Sequence, residues 1–190
     1  PGVTPEWQLG TPNNDLDVAA HSDPNAWGTS LNGAAMDYAE CFLISPAIYL
    51  TNGNTATLRF WQNYDFPDIS GYDFEMGQLY VIPSSGAAVT IGEFYDSSYG
   101  WEEVEYDLTA FSGQIVYLAW YYILFSAENS PRSGWLIDDV SVTVSNVAPG
   151  TVIFTNNLWQ ATTLLRSPIA RKIVGQSGVI SNAPPGQYEV

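Results

Sequence analysis

The sequence predicts an all-β protein, an antiparallel β-sandwich that continues into a smaller β module. Short runs rich in aromatic and β-branched residues recur along the chain, and Gly, Pro, Asn and Ser clusters separate them. No segment carries the sustained apolar stripe of an amphipathic helix. With 190 residues, of which 46% are hydrophobic and 14% aromatic, the chain has enough apolar side chains to fill a core. Many short strands between turns favour a sandwich or a jelly roll.

The individual strands follow from alternation and from the turns around them. The clearest is Ala56–Asn63, which places Leu58, Phe60 and Gln62 on one face and polar or mixed side chains on the other. Six further runs predict strands: Cys41–Ile44, Gly77–Ile82, Ala88–Phe94, Glu102–Leu108, Gln114–Leu124 and Trp135–Val144.

A change in charge marks a boundary near Ser145–Gly150. Residues 1–148 contain two arginines and nineteen acidic residues, a net charge of −17, whereas residues 149–190 carry a net charge of +2. The sequence therefore predicts two modules, 1–146 and 147–190. The second is shorter than most domains that fold alone, so we expect it to be truncated or completed by a partner.

Composition excludes several classes of function. The net charge of −15 opposes binding to nucleic acid and to anionic membrane surfaces. The single cysteine, Cys41, cannot form a disulfide within the chain, and the single histidine, His21, excludes zinc sites built from several histidines. No apolar run reaches the length of a membrane span, so membrane insertion is not expected.

A set of short motifs over Trp7 to Val144 carries a family resemblance. The motifs are Trp7–Pro12, His21-Ser22, Ala26–Thr29, Leu31–Gly33, Leu43–Ile48, Leu58–Trp61, Asp107-Leu108, Phe111–Gln114 and Ser133–Val140. Together they resemble the MAM-like jelly-roll module found beside bacterial secreted peptidases of the immune inhibitor A type. The resemblance implies a jelly-roll sandwich, and it places Trp7, Trp27, Trp61, Trp120 and Trp135 at core positions.

The second module has a resemblance of its own. Gly150–Leu158, Ala161 and the turn at Asn182–Tyr188 resemble the start of a PEGA-like repeat, a small β-sandwich used in tandem on bacterial surface proteins. Residues 147–190 cover only about its first half.

The two resemblances imply an extracellular location on a bacterial surface and a non-catalytic role. We expect a secreted adhesive or structural module, stabilised by calcium, which contacts other surface proteins or further copies of itself. The acidic first module and the basic second one favour head-to-tail association into a filament or surface layer. Two alternatives remain open, a carbohydrate-binding module of a larger secreted enzyme and an accessory domain of a secreted metallopeptidase.

The pair Asp138-Asp139 predicts a structural calcium site. Successive strand residues point to opposite faces, so one carboxylate should reach the interior of the sandwich or its rim, where a cation would compensate its burial. Calcium prefers such oxygen ligands. The resemblance to MAM-like modules implies that an aspartate of this strand ligates calcium together with groups near the N-terminus. Glu6, Asp37 and Glu40 are the candidates for the other ligands because they are acidic residues of the opening third.

Aromatic residues in or beside turns form a candidate sugar platform, since flat rings stack on the apolar faces of pyranoses. They are Tyr72, Phe74, Tyr95, Tyr99 and Trp101.

Three catalytic or metal-binding interpretations are not favoured. Glu102, Glu103 and Glu105 lack a second carboxylate across a cleft, as a glycosidase needs. His21-Ser22-Asp23 lies beside no nucleophile elbow, so we expect His21 to be a packing residue of a loop. The four acids of Asp65–Glu75 do not follow the spacing of an EF-hand loop, which favours a solvated loop over a second calcium site.

Overall fold

The sequence folds into strands that form two stacked sheets. A computed structural model describes residues 7–12, 18–33, 35–66, 74–131, 133–146, 150–155, 163–166, 171–174 and 177–183. Side chains are described for 7–12, 18–33, 38–66, 74–125 and 133–145. Every strand pair in this part of the chain is antiparallel. The predicted all-β sandwich is confirmed.

The first sheet, called sheet A, has five strands and contains both ends of the sandwich sequence. Its strands are β1 (Gln8–Gly10), β2 (Ala26–Gly28), β5 (Asn54–Tyr64), β8 (Glu102–Asp107) and β10 (Trp135–Asn146). Their spatial order is β1, β2, β10, β5, β8. In β5, Leu58, Phe60 and Gln62 are fully buried while Arg59 is exposed, so the face predicted from the alternation is confirmed.

The second sheet, sheet B, is built around one long strand. Its strands are β3 (Ala35–Ile44), β4 (Ile48–Tyr49), β6 (Phe74–Pro83), β7 (Val89–Phe94) and β9 (Ile115–Pro131). β9 lies between β3 and β6, and β7 pairs with the other side of β6. β4 pairs with β9 on the same side as β3. A 3-10 turn at Thr109–Phe111 connects β8 towards β9.

The core lies between the two sheets and is dominated by large side chains. Trp120 of sheet B is 2% exposed and Trp135 of sheet A is fully buried. Trp120 packs edge-on against Phe60, with ring centroids 5.4 Å apart. Burial of each such side chain contributes about 1.5–3 kcal/mol. Trp7 and Trp27 pack against the margin of this core, as the resemblance implied.

Trp61 departs from that expectation. It lies on the outer face of sheet A, where His21 stacks on it with ring centroids 3.8 Å apart and an interplanar angle of 13°. Because Phe60 and Gln62 on either side point inwards, the alternation of β5 directs Trp61 outwards.

Beyond Asn146 the described residues form two small ladders. β11 (Gly150–Thr155) pairs with β14 (Ser177–Ala183), and β12 (Thr163–Arg166) pairs with β13 (Arg171–Val174). Arg166 lies opposite Arg171 in the second ladder, and Lys172 follows. Three of the five basic residues of the chain therefore share one end of a hairpin. No helix in the described residues has the length and apolar character of a membrane span.

Candidate functional site

The outer face of sheet B is covered with aromatic and aliphatic side chains. Leu118, Trp120, Tyr122 and Leu124 of β9 point into the core, so the residues between them point outwards. The same alternation holds for β3 and β6. We call this surface the aromatic face, and its members are Tyr38, Glu40, Phe42, Ile44, Phe74, Gln78, Tyr80, Ile82, Tyr117, Tyr121, Ile123 and Phe125.

The aromatic face is exposed to an unusual degree for such side chains. Tyr38, Phe42, Ile44 and Phe125 are each 49–55% exposed. Scattered exposed apolar residues are ordinary, but a contiguous patch on one sheet marks an interaction surface.

The strand register arranges the aromatic face in rows. Phe42, Tyr121 and Gln78 lie side by side on β3, β9 and β6, and Glu93 of β7 extends this row. Phe42 and Tyr121 stack, with centroids 4.5 Å apart and an interplanar angle of 30°. A second row, four residues along the strands, consists of Tyr38, Phe125 and Phe74. The two rows are therefore about 13 Å apart at roughly 3.3 Å per residue.

A carboxylate lies between the two rows and fixes the phenols around it. Glu40 accepts hydrogen bonds from the hydroxyls of Tyr38, at 2.9 Å, and Tyr121, at 3.0 Å. Burial of the ring, together with the hydrogen bond to Glu40, raises the pKa of Tyr121 to about 12. The hydrogen bond to Glu40 also raises the pKa of Tyr38. Both hydroxyls therefore keep their protons at neutral pH and remain donors to Glu40.

Amide and carboxylate groups lie beside the rings of the first row. Gln78 Nε2 donates to Glu93 Oε1 at 3.0 Å, and the Tyr80 hydroxyl donates to Gln78 Oε1. None of the described residues on this face is a lysine or an arginine. The surface thus combines flat rings with acceptor-rich polar groups and a negative charge.

A second cluster lies on the outer face of sheet A, where the segment before β2 contacts β10. His21 Nδ1 and the Ser22 hydroxyl lie 2.8 and 2.7 Å from Asp139 Oδ2, and the Ser22 amide donates to Asp138 Oδ2 at 2.9 Å. We call these four residues the His21 clasp. The hydrogen bonds from Ser22 and His21 hold the pKa of Asp139 below its usual value.

Asp138 and Asp139 do not follow the strand alternation on which the predicted calcium site rested. The register of β10 against β5 shifts between Asp138 and Ser141, and Asp139 has a φ of +50°. This irregularity breaks the alternation, so Asp138 is half-buried and Asp139 exposed. Both carboxylates form hydrogen bonds with the N-terminal segment, Asp138 with Ser22 and Asp139 with Ser22 and His21.

The other predicted calcium ligands are not gathered around this pair. Glu6 lies outside the described residues, and of Asp37 only the backbone, in β3, is described. Glu40 lies on the outer face of sheet B, bonded to its two tyrosines, whereas Asp138 belongs to sheet A. The described residues include no group of three or more His, Cys, Asp or Glu arranged to hold a metal.

The predicted sugar platform is divided among several elements. Tyr72 lies outside the described residues, and Phe74 belongs to the aromatic face. Tyr95 and Tyr99 follow β7, with Tyr99 94% exposed. Trp101 precedes β8 and is half-buried. Its indole donates to Ala19 O at 3.0 Å, and its ring meets His21 edge-on.

Sequence patterns did not predict the aromatic face. Its first row lies in predicted runs whose outward side was not identified, and its second row, Tyr38, Phe125 and Phe74, lies outside those runs. The sequence does contain one indication of this surface, because β9 has aromatic residues on both of its faces. Tyr117 and Tyr121 alternate with Trp120 and Tyr122 in a strand with a buried side and no clearly polar side.

An apolar groove opens between β3 of sheet B and β10 of sheet A. Its volume is about 360 Å³, and Ser45 is its one polar residue among the lining side chains. The Trp120 indole nitrogen, from a ring that lines the groove, is buried and has no hydrogen-bond partner among the described residues.

No protein-family model and no curated protein sequence matches the chain.

Proposed function

We propose that this chain is a non-catalytic, secreted adhesive module that makes its contacts through the aromatic face. The observation that carries the proposal is the exposure of Phe42, Phe125 and Tyr38 on the outer face of sheet B. Removing apolar area from water contributes about 25 cal/mol per Å² to association, from which the cost of lost translational and side-chain freedom is subtracted. The hydrogen bonds to Glu40 hold the phenols in place before a partner binds, which lowers the entropic cost of binding.

Adhesion to a panel of immobilised polysaccharides and extracellular proteins tests this proposal on a quartz-crystal microbalance. The variant is Phe42→Ser/Phe125→Ser, which removes two exposed rings and leaves the core intact. The matched control is Tyr99→Ser, which removes the most exposed ring outside the aromatic face. We expect adhesion by the wild type and by the control, and its loss in the double variant. Equal adhesion by all three would refute the proposal.

We also propose that calcium stabilises the module at the His21 clasp. The support is the convergence of Asp138 and Asp139 on the same residue, Ser22, beside the N-terminal segment. Calcium should raise the melting temperature of the wild type, and a chelator should reverse the rise. Asp138→Asn/Asp139→Asn should abolish this response, whereas Glu103→Gln, an exposed acid on β8, should keep it. A melting temperature of the wild type that does not change with calcium would refute this proposal.

Head-to-tail self-association is a second candidate function, favoured by the separation of charge along the chain. The sandwich sequence is strongly acidic, and Arg166, Arg171 and Lys172 cluster at one end of the β12–β13 ladder. Light scattering at low salt should then show a mass that rises with concentration and falls when salt screens the charges. Arg171→Glu/Lys172→Glu should stay monomeric. A constant monomer mass for the wild type at millimolar concentration would exclude this candidate.

A further inference from the structure

We propose that the ligand of the aromatic face is a neutral polysaccharide, a linear chain of pyranoses whose equatorial substituents leave flat C–H faces. This inference rests on the proposed adhesive function and names the class of its ligand. The surface differs from the loop platform predicted from the sequence, since it consists of strand residues on three neighbouring strands.

The rings supply the stacking surface. Phe42 and Tyr121 form one stacked pair, and Phe125 and Tyr38 belong to a second row about 13 Å away along the strands. A pyranose placed on such a ring buries its C–H face and keeps its hydroxyls at the rim, in reach of water or protein. A chain of several sugars is needed to contact both rows, which favours a polymer over a monosaccharide.

The polar groups among the rings suit hydroxyl ligands. Glu40 lies between the two rows, and Gln78 and Glu93 continue the first row over β6 and β7. Sugar hydroxyls can donate to their oxygens and accept from Gln78 Nε2, so these groups keep hydrogen-bond partners when water leaves. The pairs Glu40–Tyr38 and Glu40–Tyr121 fix the acceptors before binding.

Charge decides between a glycan and the other occupants of this face. A second copy packed face to face would bury Glu40 and Glu93 in an interface whose described residues include no lysine or arginine to pair with them. A uronic-acid polymer, a nucleic acid or an anionic lipid surface would meet the same carboxylates with no lysine or arginine on the described face. A neutral polysaccharide pays neither cost and uses the carboxylates as acceptors.

The test measures retention of the whole chain on swollen cellulose, chitin and insoluble β-1,3-glucan, with cross-linked polygalacturonate as the anionic counterpart. Phe42→Ala and Tyr121→Ala each remove one ring of the stacked pair, and Glu40→Gln removes the charge at nearly constant size. Tyr99→Ala is the matched control outside the aromatic face. Melting temperatures establish that each variant is folded.

We expect retention on at least one neutral polymer, a loss of roughly five- to ten-fold in affinity for each ring variant, and no change for Tyr99→Ala. Glu40→Gln should weaken binding as well. Equal retention on polygalacturonate, or loss in Tyr99→Ala and not in Phe42→Ala, would overturn the assignment.

Failure of this inference is distinguishable from failure of the proposed function. No retention on any neutral polymer, with Phe42-dependent adhesion to a protein surface on the microbalance, overturns the glycan and keeps the adhesive face. Adhesion that does not depend on Phe42 overturns both.

Discussion

At the scale of single residues, Glu75 is an acidic side chain that is fully buried in the sandwich. It lies on β6 and accepts a hydrogen bond from the hydroxyl of the equally buried Tyr122. Burying an acid is costly unless hydrogen bonds compensate it. The Tyr122 hydroxyl therefore stabilises the fold by compensating the burial of Glu75.

Tyr122→Phe should test that statement, because it removes the hydroxyl and keeps the packed ring. We expect the free energy of unfolding to fall by about 1–3 kcal/mol, the cost of taking a partner from a buried polar group. Urea denaturation measures it. Tyr38→Phe removes a similar hydrogen bond from exposed Glu40 and should change stability little. Equal losses for the two variants would contradict the argument.

Asp107 gives the chain a defined dependence on pH. Its Oδ1 accepts a hydrogen bond from the Thr109 amide at 2.8 Å, and the hydrogen bonds from the hydroxyl and the amide of Thr109 hold the pKa of Asp107 below its usual value. A carboxylate whose pKa is lower in the folded state stabilises the fold above its unfolded pKa and loses that contribution as pH falls towards the folded value.

Asp107→Ala should therefore cost about 0.5–1 kcal/mol at pH 7, at the low end for a hydrogen bond because the site is exposed. The difference from wild type should shrink as the pH is lowered below 4. Dilute samples unfolded in urea at several pH values give the measurement. Thr109→Ser keeps both donors and should keep the pH dependence. A difference that is constant with pH would exclude the carboxylate as its source.

At the scale of strands, the close packing of the two sheets requires glycine at positions such as Gly77. Gly77 of β6 faces Trp135 of β10, and a Cβ there would lie 2.6 Å from the indole ring. Since Trp135 is fully buried and donates to Gln62, the ring has little freedom to move.

Gly77→Ala should destabilise the fold by about 1–3 kcal/mol, the usual cost of overpacking a core. The control is Gly86→Ala in the turn between β6 and β7, where the nearest atom to a new Cβ is 4.0 Å away. That change should be neutral or slightly stabilising. Thermal unfolding compares them, and a Gly77→Ala protein as stable as the control would show that Trp135 can shift.

Strand by strand, sequence patterns predicted the fold well where one side of a strand is polar. In β5 the alternation of Leu58 and Phe60 with Arg59 identified the buried face. In β9 both faces are apolar, so alternation could not show that Tyr121 points outwards while Tyr122 points inwards. The aromatic face was therefore beyond prediction from periodicity. The predicted runs Cys41–Ile44, Gly77–Ile82 and Gln114–Leu124 cover only part of β3, β6 and β9, and the row of Tyr38, Phe125 and Phe74 lies outside them.

For the whole molecule, long-range contacts set the limit of prediction. His21 and Asp139 are 118 residues apart, and their contact exists because β2 pairs with β10 beside the bulge. The sequence identified Asp138-Asp139 as a candidate ligand pair and His21 as a packing residue. It could not show that they meet, because no local pattern encodes the order of strands in sheet A.

The exposed aromatic face also has a consequence for the colloidal behaviour of the chain. At neutral pH the net charge of −15 makes the molecules repel one another, and this repulsion opposes association through the exposed aromatic face. Near the sequence isoelectric point of about 4.1 this repulsion vanishes while the rings remain exposed. Turbidity should therefore rise sharply near pH 4, and Phe42→Ser/Phe125→Ser should stay clear where Tyr99→Ser precipitates. The solubility of the chain therefore depends on two opposing forces, the attraction between aromatic faces and the electrostatic repulsion from the net charge.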